Sequence, residues 1–291
     1  MSTAARVVAH AKLNLLLHVL DRRSDGYHDI ATWLVRLALG DDVVVRVRPS
    51  GRRVDCRGAE TGPPERNLAL RAGDAYAEAA GWPNGFAIDI EKRIPVGGGL
   101  GGGSADAAAV LRALDALAPE PLGEDRLIEI AARLGSDVPY LVSTDPAAFA
   151  TGRGEYLLAM PSLGEAHVAL VCPPFGIGTR EAYAWLDADR AADGWEPKVV
   201  RYDNLYSWTS FPREAPNDLE PPVSRRHPEI ARNIQALFDA GARSAGMSGS
   251  GSTVFGVFDA PPDAGALERA VVAPVILTHT LKSISEVQTL D

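Results

Sequence analysis

The sequence predicts an α+β fold, arranged as two domains or as one large one. Strand-like alternation and helix-like apolar stripes are interspersed in both halves of the 291-residue chain. At roughly 100–200 residues per domain, this length fits two domains or a single large one. The hydrophobic fraction of 46% is that of an ordinary folded protein, so a sizeable core is expected.

In the first half, the patterns predict three strands and three helices. The strands are predicted at 13–19, 43–48 and 86–90, and the helices at 67–80, 107–118 and 124–134. In the first strand, Lys12 and Asn14 project from the same face, because side chains alternate along a strand. Ser104 stands before the second helix as a good N-cap residue, and Asp106 falls in the first turn.

The second half repeats the mixed pattern. Strands are predicted at 167–172, 253–258 and 275–280, and helices at 179–186, with Thr179 as the cap, and at 227–240. A second glycine-rich segment, 246–252, leads into the strand at 253. Residues 188–222 show no clear periodicity, so a long surface excursion is predicted there.

Charge and cysteine content exclude several classes of protein. The formal net charge of −9 disfavours a nucleic-acid partner, since such proteins carry a basic face that neutralises phosphates. The two cysteines, Cys56 and Cys172, are far apart, which argues against a disulfide scaffold or a thiolate metal site. No apolar stretch reaches about 18 residues and no signal peptide is evident, so a cytoplasmic protein without a membrane partner is expected.

Lysine is scarce, which makes each lysine worth inspecting. Four lysines, at positions 12, 92, 198 and 282, stand against 25 arginines. Genome composition is a sufficient explanation for the ratio itself.

The glycine-rich segment before the helix at 107–118 is the strongest chemical signal. Six glycines occupy the seven positions from Gly97 to Gly103, immediately before Ser104. Glycines allow close approach of the backbone and positive φ, and the free N–H groups of a helix start favour anions. The segment therefore predicts a phosphate-binding loop, with a flexible hinge or a tight packed turn as the alternative.

Two common nucleotide motifs fit this segment poorly. A Walker A loop requires Gly-Lys followed by Ser or Thr, and the chain contains no Gly-Lys pair. The pattern GxGxxG matches at Gly97, Gly99 and Gly102, but a run of six glycines matches many patterns. No second strand ending in an acidic residue follows, so a dinucleotide-dependent oxidoreductase is only a distant alternative.

The segment 95–108 resembles the phosphate loop of the GHMP kinases, the superfamily named for galactokinase and for homoserine, mevalonate and phosphomevalonate kinases. Further matches stand in the order seen in one branch of that superfamily. They lie at 11–15, 25–28, 134–139, 152–155, 217–220 and 247–252. The resemblance runs from about residue 9 to residue 258 and so covers nearly the whole chain.

The resemblance implies a fold and a reaction. The fold is the two-domain GHMP kinase architecture, with a ribosomal-protein-S5-domain-2-like domain at 1–155 and a ferredoxin-like α/β sandwich at 156–291. The reaction is transfer of the γ-phosphate of ATP, with Mg²⁺, to the 2-hydroxyl of a cytidine-diphosphate-linked methylerythritol. A monomer or homodimer is expected, with these small molecules as its ligands.

The resemblance also assigns residues to the site. Asp137 corresponds to the catalytic aspartate and Lys12 to the active-site lysine. The implied ATP contacts are Pro95, Val96, Gly97, Gly98, Gly99, Leu100, Gly101, Gly102, Gly103, Ser104 and Ala105. The implied substrate contacts are Asn14, Tyr27, His28, Thr179 and Tyr183. Ser104 is a possible Mg²⁺ ligand, and the other metal ligands are unassigned.

The chemistry of these residues agrees with the implied roles. Asp137 can accept the hydroxyl proton, and a neighbouring Lys12 would keep its carboxylate ionised while offsetting phosphate charge. Without the resemblance, Asp137 reads equally as a helix N-cap and Lys12 as a solvent-reaching lysine. Tyr27 and His28 suit stacking on a pyrimidine, although both could be loop residues and Tyr183 could belong to the core.

Two alternatives and two departures remain open. A GHMP kinase for another small alcohol, such as homoserine or mevalonate, is one alternative, and a non-catalytic ligand-sensing paralogue is the other. One departure is His10, which stands where the family usually has proline and is expected to alter only the local chain path. In the other, Ala105 replaces a usual second serine after the glycines. This change is expected to remove a hydroxyl near the phosphates and to leave Ser104 as the hydroxyl contact.

Overall fold

The computed structural model describes residues 3–193, 207–271 and 273–291, and the strands in these ranges form sheets of seven and four strands. The strands are β1 (Ala4–Arg22), β2 (His28–Arg48), β3 (Arg52–Arg57), β4 (Gly85–Glu91), β5 (Ala147–Gly152), β6 (Tyr156–Met160), β7 (His167–Val171), β8 (Ser244–Met247), β9 (Val254–Phe258), β10 (Val275–His279) and β11 (Gln288–Leu290). The helices are α1 (Leu68–Ala80), α2 (Gly102–Leu117), α3 (Glu124–Leu134), α4 (Val138–Val142), α5 (Thr179–Asp193), α6 (Glu220–Arg226), α7 (Pro228–Asp239) and α8 (Ala264–Ala270).

The seven-stranded sheet is built around two long antiparallel strands, β1 and β2. Its order is β11-β1-β2-β4-β3, and the β5–β6 hairpin joins it through β2. The register of β1 against β2 shifts between His10 and Lys12 and again between Asn14 and Leu16. Such irregularities bend a strand and re-aim its side chains. Lys12 and Asn14 therefore sit where β1 departs from simple alternation.

Helices α1 to α4 belong with this sheet and enclose the larger apolar core. Helix α2 is buried along most of its length, because its sequence is nearly continuous in alanine, valine and leucine. It packs against β1, α1 and α4. Since α2 begins at the glycine loop, this packing fixes the helical end of the loop to the core.

The four-stranded sheet is antiparallel, in the order β10-β7-β9-β8. Strands β7, β8 and β9 are buried almost throughout, whereas the edge strand β10 is half-buried. Helix α7 places Ile230, Ile234 and Leu237 on one face, at helical spacing, in the second apolar core. The second glycine-rich segment connects β8 to β9 and so emerges from the end of this sheet.

The α+β class predicted from the mixed pattern is confirmed, and every predicted element overlaps an observed one, most of them to within one residue at each end. The predicted strand at 13–19 is only the middle of β1, a 19-residue strand. Its central part is buried on both faces, and a strand of that kind reads as a continuous apolar run without clear alternation. The hairpin of β5 and β6 was not predicted.

The structure corrects three local predictions. Gly101, with a φ of 72°, is the N-cap of α2, so Ser104 is already the third helical residue and is not the cap. Thr179 is likewise the first residue of α5, which extends to Asp193. The segment 188–222 is not a single surface excursion: its first residues belong to α5 and its last to α6, while 194–206 lie outside the described residues.

A division of the chain between residues 155 and 156 stays a prediction. Strand β6, just beyond that point, pairs with β5, and β11, near the end of the chain, pairs with β1. Both strands therefore hydrogen-bond into the first sheet. None of the helices in the described ranges combines the length and the apolar character that a membrane crossing requires.

Candidate active site

Two glycine loops meet beside the middle of β1. We call residues 95–101 the first glycine loop and residues 248–252 the second glycine loop. The Ser248 hydroxyl donates to the Gly99 carbonyl at 3.1 Å, and the Thr253 N–H donates to the Gly98 carbonyl at 3.2 Å. A Cβ on Gly99 would lie 2.3 Å from the Ser248 carbonyl oxygen, so only glycine permits this approach. The loops therefore form one continuous backbone surface.

Lys12 reaches from β1 into this surface. Its Nζ donates to Asn14 Oδ1 at 2.5 Å and to the Gly99 carbonyl at 3.0 Å, and it lies 3.5 Å from Asp137 Oδ2. The side chain is only 4% exposed. Lys12 is therefore a fixed charge between the first glycine loop and a carboxylate, and the solvent-reaching alternative is excluded.

Asp137 stands just before α4, in the N-cap position, yet its side chain makes no capping hydrogen bond. The side chain is 37% exposed and its charged neighbour is Lys12. Asp137 therefore occupies the position of a structural N-cap, but its side chain does not make the hydrogen bond that such a cap would make. A carboxylate that is open to solvent and held beside a cation is in a suitable position to accept a proton.

Asn14 lies beside Lys12 and hydrogen-bonds to it. Besides accepting from Lys12, it donates through Nδ2 to Thr32 Oγ1 at 2.8 Å, and Thr32 Oγ1 donates to the Leu16 carbonyl at 2.7 Å. The Asn14 N–H donates to the Ser248 hydroxyl at 3.3 Å. This buried chain of hydrogen bonds fixes the position of Lys12. Thr32 was not predicted as part of the site, whereas Ser248 belongs to the segment 246–252, which the resemblance places on the phosphate side.

The first glycine loop turns sharply into α2. Gly97, Gly99 and Gly101 all have positive φ, between 72° and 78°. The first N–H groups of a helix have no partner within the helix, so the start of α2 presents donors and partial positive charge. Nothing lies within 4 Å of the position that a Cβ on Gly103 would take, so the backbone is open there. This geometry suits a polyanion.

Ala105 lies on the other side of this helix. Its side chain is buried in the apolar core, and its N–H donates to the Gly101 carbonyl at 2.8 Å. Neither group faces the open side of the loop. A serine at this position would place its hydroxyl toward the core, which leaves the expected loss of a phosphate contact without a structural basis.

The predicted substrate residues His28 and Tyr183 come together. Their rings stack with centroids 5.0 Å apart, and His28 Nε2 lies 2.8 Å from Asp187 Oδ1. Burial raises the pKa of the Tyr183 phenol above its usual range, and the nearby charges of Asp137 and Asp218 add to the effect. Tyr183 is thus a neutral donor and acceptor close to Asp137.

Tyr27 and Thr179 flank this aromatic pair. Tyr27 is exposed, with the guanidinium of Arg153 5.2 Å from its ring centroid. The Thr179 hydroxyl lies 3.3 Å from the Ser250 hydroxyl of the second glycine loop. An exposed aromatic face beside fixed hydroxyl and imidazole groups is able to bind a flat polar ring.

Two further residues hold the second glycine loop in place. Asn217 donates through Nδ2 to the carbonyls of Met247 and Gly249, both at 2.8 Å. Glu220 Oε2 accepts the Met247 N–H at 2.9 Å, and burial raises the pKa of this carboxyl to about 7. The segment 217–220 was noticed only as part of a resemblance. In the sequence, polar residues directly before a helix could have indicated that this segment holds a neighbouring loop.

A second lysine and two aspartates form a buried cluster behind the first glycine loop. Lys92 Nζ hydrogen-bonds Asp41 Oδ2 and, at 2.7 Å, Asp106 Oδ2. Burial raises the pKa of the Asp106 carboxyl, with Lys92 opposing the shift. Burial acts to lower the pKa of Lys92, but the two aspartates outweigh it and the pKa is raised. Sequence analysis missed this cluster, although the scarcity of lysine pointed to Lys92.

Comparison with known proteins agrees with this site. The family model described as "GHMP kinases N terminal domain" matches residues 67–153, and the model "GHMP kinases C terminal" matches residues 205–276. A crystal structure of 4-(cytidine 5'-diphospho)-2C-methyl-D-erythritol kinase superposes with a TM-score of 0.78 at 36% identity, covering 94% of this chain and 98% of the other. A homoserine kinase from Cytophaga hutchinsonii, at 16% identity and a TM-score of 0.67, shares the fold.

Relatives with curated names are similar over most of their length. One from Anaeromyxobacter dehalogenans (strain 2CP-1 / ATCC BAA-258) is 43% identical over 272 residues, which are 91% of this chain and 83% of the relative. Another from Nitratidesulfovibrio vulgaris (strain DP4) is 39% identical over 274 residues, 91% of this chain and 94% of the relative. Both are named 4-diphosphocytidyl-2-C-methyl-D-erythritol kinase.

The chain therefore belongs to the GHMP kinases, with their two-domain fold and with ATP as co-substrate. Within that superfamily it belongs to the family whose members are named 4-diphosphocytidyl-2-C-methyl-D-erythritol kinase.

Proposed function

We propose that this protein transfers the γ-phosphate of ATP to the 2-hydroxyl of 4-diphosphocytidyl-2-C-methyl-D-erythritol, a step of non-mevalonate isoprenoid biosynthesis. The observation that carries the proposal is the pair of Lys12 and Asp137, 3.5 Å apart at the edge of the first glycine loop. The identity of about 40% with relatives of that name, over most of both chains, supports the choice of acceptor.

The triphosphate binds along the first glycine loop and the start of α2. The free N–H groups of Gly102, Gly103 and Ser104 point toward it, and Lys12 adds one fixed positive charge. The formal charge of the chain is −9, so this positive potential has to be local. The remaining loop residues from Pro95 contribute backbone contacts, whereas Ala105 supports the loop from the core side.

Asp137 acts as the general base and Lys12 stabilises charge. The acceptor hydroxyl gives its proton to an Asp137 oxygen, its own oxygen bonds to the γ-phosphorus, and the bond to the β–γ bridging oxygen breaks, releasing ADP. Phosphoryl transfer depends mainly on positioning and charge stabilisation, so a base held in place and one buried cation supply what the step needs.

Mg²⁺ would accompany the nucleotide. Among the described residues, no group of three or more histidine, cysteine, aspartate or glutamate side chains could hold a metal ion. This fits an ion bound mainly by phosphates and water, with the Ser104 hydroxyl as its protein ligand, because Mg²⁺ usually keeps several waters. When bound, the ion neutralises charge on the phosphates.

The acceptor binds on the side of Asp137 that faces away from the first glycine loop. Tyr27, His28 and Tyr183 form the surface for the cytosine ring, and Thr179 binds at its edge near the second glycine loop. Asn14 lies near the reacting hydroxyl of the acceptor, because it hydrogen-bonds to Lys12. Under this proposal, the domains divide near 155 and 156, and the acting unit is a monomer or homodimer.

The test is a comparison of acceptors. Release of ADP is measured with ATP and either 4-diphosphocytidyl-2-C-methyl-D-erythritol, methylerythritol without the cytidylyl group, homoserine or mevalonate. We expect turnover with the cytidylated acceptor and at least about 100-fold lower kcat/KM with the others, because the lost ring contacts position the hydroxyl. A higher kcat/KM with one of the acceptors that lack the cytidylyl group would show that the protein phosphorylates a different alcohol. Binding without ADP release would identify a sensing protein.

A further inference from the structure

The buried cluster of Lys92, Asp41 and Asp106 has no part in the reaction described above. The Lys92 side chain is 3% exposed, and the side chains of Asp41 and Asp106 are 0% and 5% exposed. None of the three can reach a ligand on the open side of the loop. Their effect on the site therefore has to act through the backbone that they hold.

The cluster holds the chain on both sides of the first glycine loop. On the strand side, Asp41 Oδ1 accepts the N–H groups of Arg93 and Ile94, at 2.5 and 2.8 Å, just before the loop begins. On the helix side, Asp106 lies in the second turn of α2, just after the loop. Lys92 joins the two aspartates, so a single cation links the entrance and the exit of the loop.

The first residue of α2 rests directly on this link. A Cβ on Gly102 would lie 3.1 Å from Ile94 Cγ2 and 3.5 Å from Lys92 Nζ. The backbone that offers N–H groups to the nucleotide thus lies close to the buried ammonium group. A shift of Lys92 or Asp106 would move this backbone.

Stability alone is a weak explanation for the cluster. Moving three charged groups out of water is costly, and an apolar replacement of similar volume is often as stable. One Asp106 oxygen, Oδ1, has no hydrogen-bond partner among the described residues, so the arrangement is not optimised for bonding. What it provides is a fixed distance between two ends of a glycine-rich segment, and glycine loses more conformational freedom on ordering than any other residue.

We propose that Lys92, Asp41 and Asp106 form a clasp that holds the first glycine loop in its nucleotide-binding geometry before ATP arrives. Lys92 and Asp106 are then positioning residues for ATP, since they act through the backbone of residues 93–104. This inference rests on the proposed function of the loop. Without the clasp, ATP has to order the loop at the cost of its own binding energy.

The variant that opens the clasp most cleanly is Asp106→Ala. It removes the link to α2 and leaves Lys92 paired with Asp41, so no uncompensated charge remains buried. We expect the Kd of a non-hydrolysable ATP analogue, measured by titration calorimetry, and the KM for ATP to rise about tenfold. The kcat at saturating ATP and the KM for the cytidylated acceptor should stay within about twofold. Amide hydrogen exchange at 95–104 should be faster in the unliganded variant.

Two further variants separate positioning from general destabilisation. Asp106→Asn keeps an oxygen that can accept from Lys92 Nζ, so we expect nucleotide affinity within about threefold of wild type. Tyr76→Phe removes the hydrogen bond from Tyr76 to Asp115 near the far end of α2. It should lower the melting temperature without changing the Kd of the analogue.

Wild-type nucleotide affinity and unchanged exchange at 95–104 in Asp106→Ala would overturn the clasp. A nucleotide defect of equal size in Tyr76→Phe would overturn it as well. If Asp106→Ala does not fold, Asp106→Ser, whose hydroxyl is too short to reach Lys92, is measured against the same expectations. A wild-type protein that binds the analogue but phosphorylates no acceptor would instead refute the proposed function, and the calorimetric comparison would still decide the clasp.

Discussion

Two groupings of lysine with aspartate lie on either side of the same glycine loop, and they differ in one respect. The lysines are equally buried, with 4% of the Lys12 side chain and 3% of the Lys92 side chain exposed. The aspartates are not: Asp137 is 37% exposed, whereas both partners of Lys92 are enclosed. Asp137 lies 3.5 Å from its lysine and can turn to a substrate, while Asp41 and Asp106 are hydrogen-bonded to theirs.

This difference in exposure distinguishes a grouping that can take part in the reaction from one that supports the structure of the loop. An ion pair with one exposed partner contributes little to stability, so removing it should cost turnover rather than folding. The buried cluster behaves in the opposite way, since removing its single cation leaves two buried carboxylates uncompensated. Exposure of the carboxylate, rather than the type of residue, therefore indicates which grouping acts on substrate.

The largest effect is expected for Asp137→Asn. The amide cannot accept the hydroxyl proton, so kcat should fall by about 10²–10⁴-fold, the usual contribution of a positioned base. Because the carboxylate makes no capping hydrogen bond, the melting temperature should stay close to that of wild type. Steady-state ADP release and thermal unfolding test both expectations, and a wild-type kcat would remove Asp137 from the mechanism.

A somewhat smaller effect is expected for Lys12→Met. Methionine fills the buried space without the charge, so kcat should fall by about 10–10³-fold, the range for losing one fixed electrostatic contact to the transition state. The Kd of an ATP analogue should change less than kcat, because backbone N–H groups supply most of the phosphate contacts. A loss confined to nucleotide affinity would mean that Lys12 is a binding residue only.

Lys92→Met should show the opposite pattern, with a large loss of stability and a smaller loss of turnover. Two buried carboxylates would then face each other without a cation, and the free energy of unfolding should drop by about 3–5 kcal/mol. Denaturant titration measures that loss. The kcat per folded molecule at saturating ATP should fall far less than in Asp137→Asn. A stable Lys92→Met protein with severely reduced kcat would break the distinction between the two groupings.

The smallest effect is expected for Ala105→Ser. The new hydroxyl would face the apolar core, so the free energy of unfolding should fall by about 1 kcal/mol or less. The KM for ATP should remain within about twofold of wild type. A clear gain in nucleotide affinity would show that a hydroxyl at this position reaches the phosphates after all.

The sequence could predict the parts of the site that are local. Six glycines before a helix indicate a phosphate loop, and the resemblance of short motifs to the GHMP kinases singles out Lys12 and Asp137. The N-cap of α2 was misjudged, because a left-handed glycine, Gly101, takes the place that a serine three residues later was expected to fill. Strand β2 was underestimated, because 30–37 is buried on both faces and alternation disappears there, whereas the predicted part at 43–48 alternates.

The clasp could not be predicted, because its members meet only in the folded chain. Asp41 stands 51 residues before Lys92 in the sequence and pairs with it through the alignment of β2 with β4. Pairing of this kind depends on register, and no pattern within a single segment reveals it. The scarcity of lysine singled out Lys92 as worth inspection, but composition does not supply a partner.

A structure of the protein with 4-diphosphocytidyl-2-C-methyl-D-erythritol and a non-hydrolysable ATP analogue tests the central claim most directly. The distance to measure joins the acceptor 2-hydroxyl oxygen to the nearest Asp137 carboxylate oxygen. We expect about 2.6–3.2 Å, with the γ-phosphate on the far side of the hydroxyl and Lys92 still enclosed behind the loop. A hydroxyl remote from Asp137, or a phosphate in contact with Lys92, would contradict it.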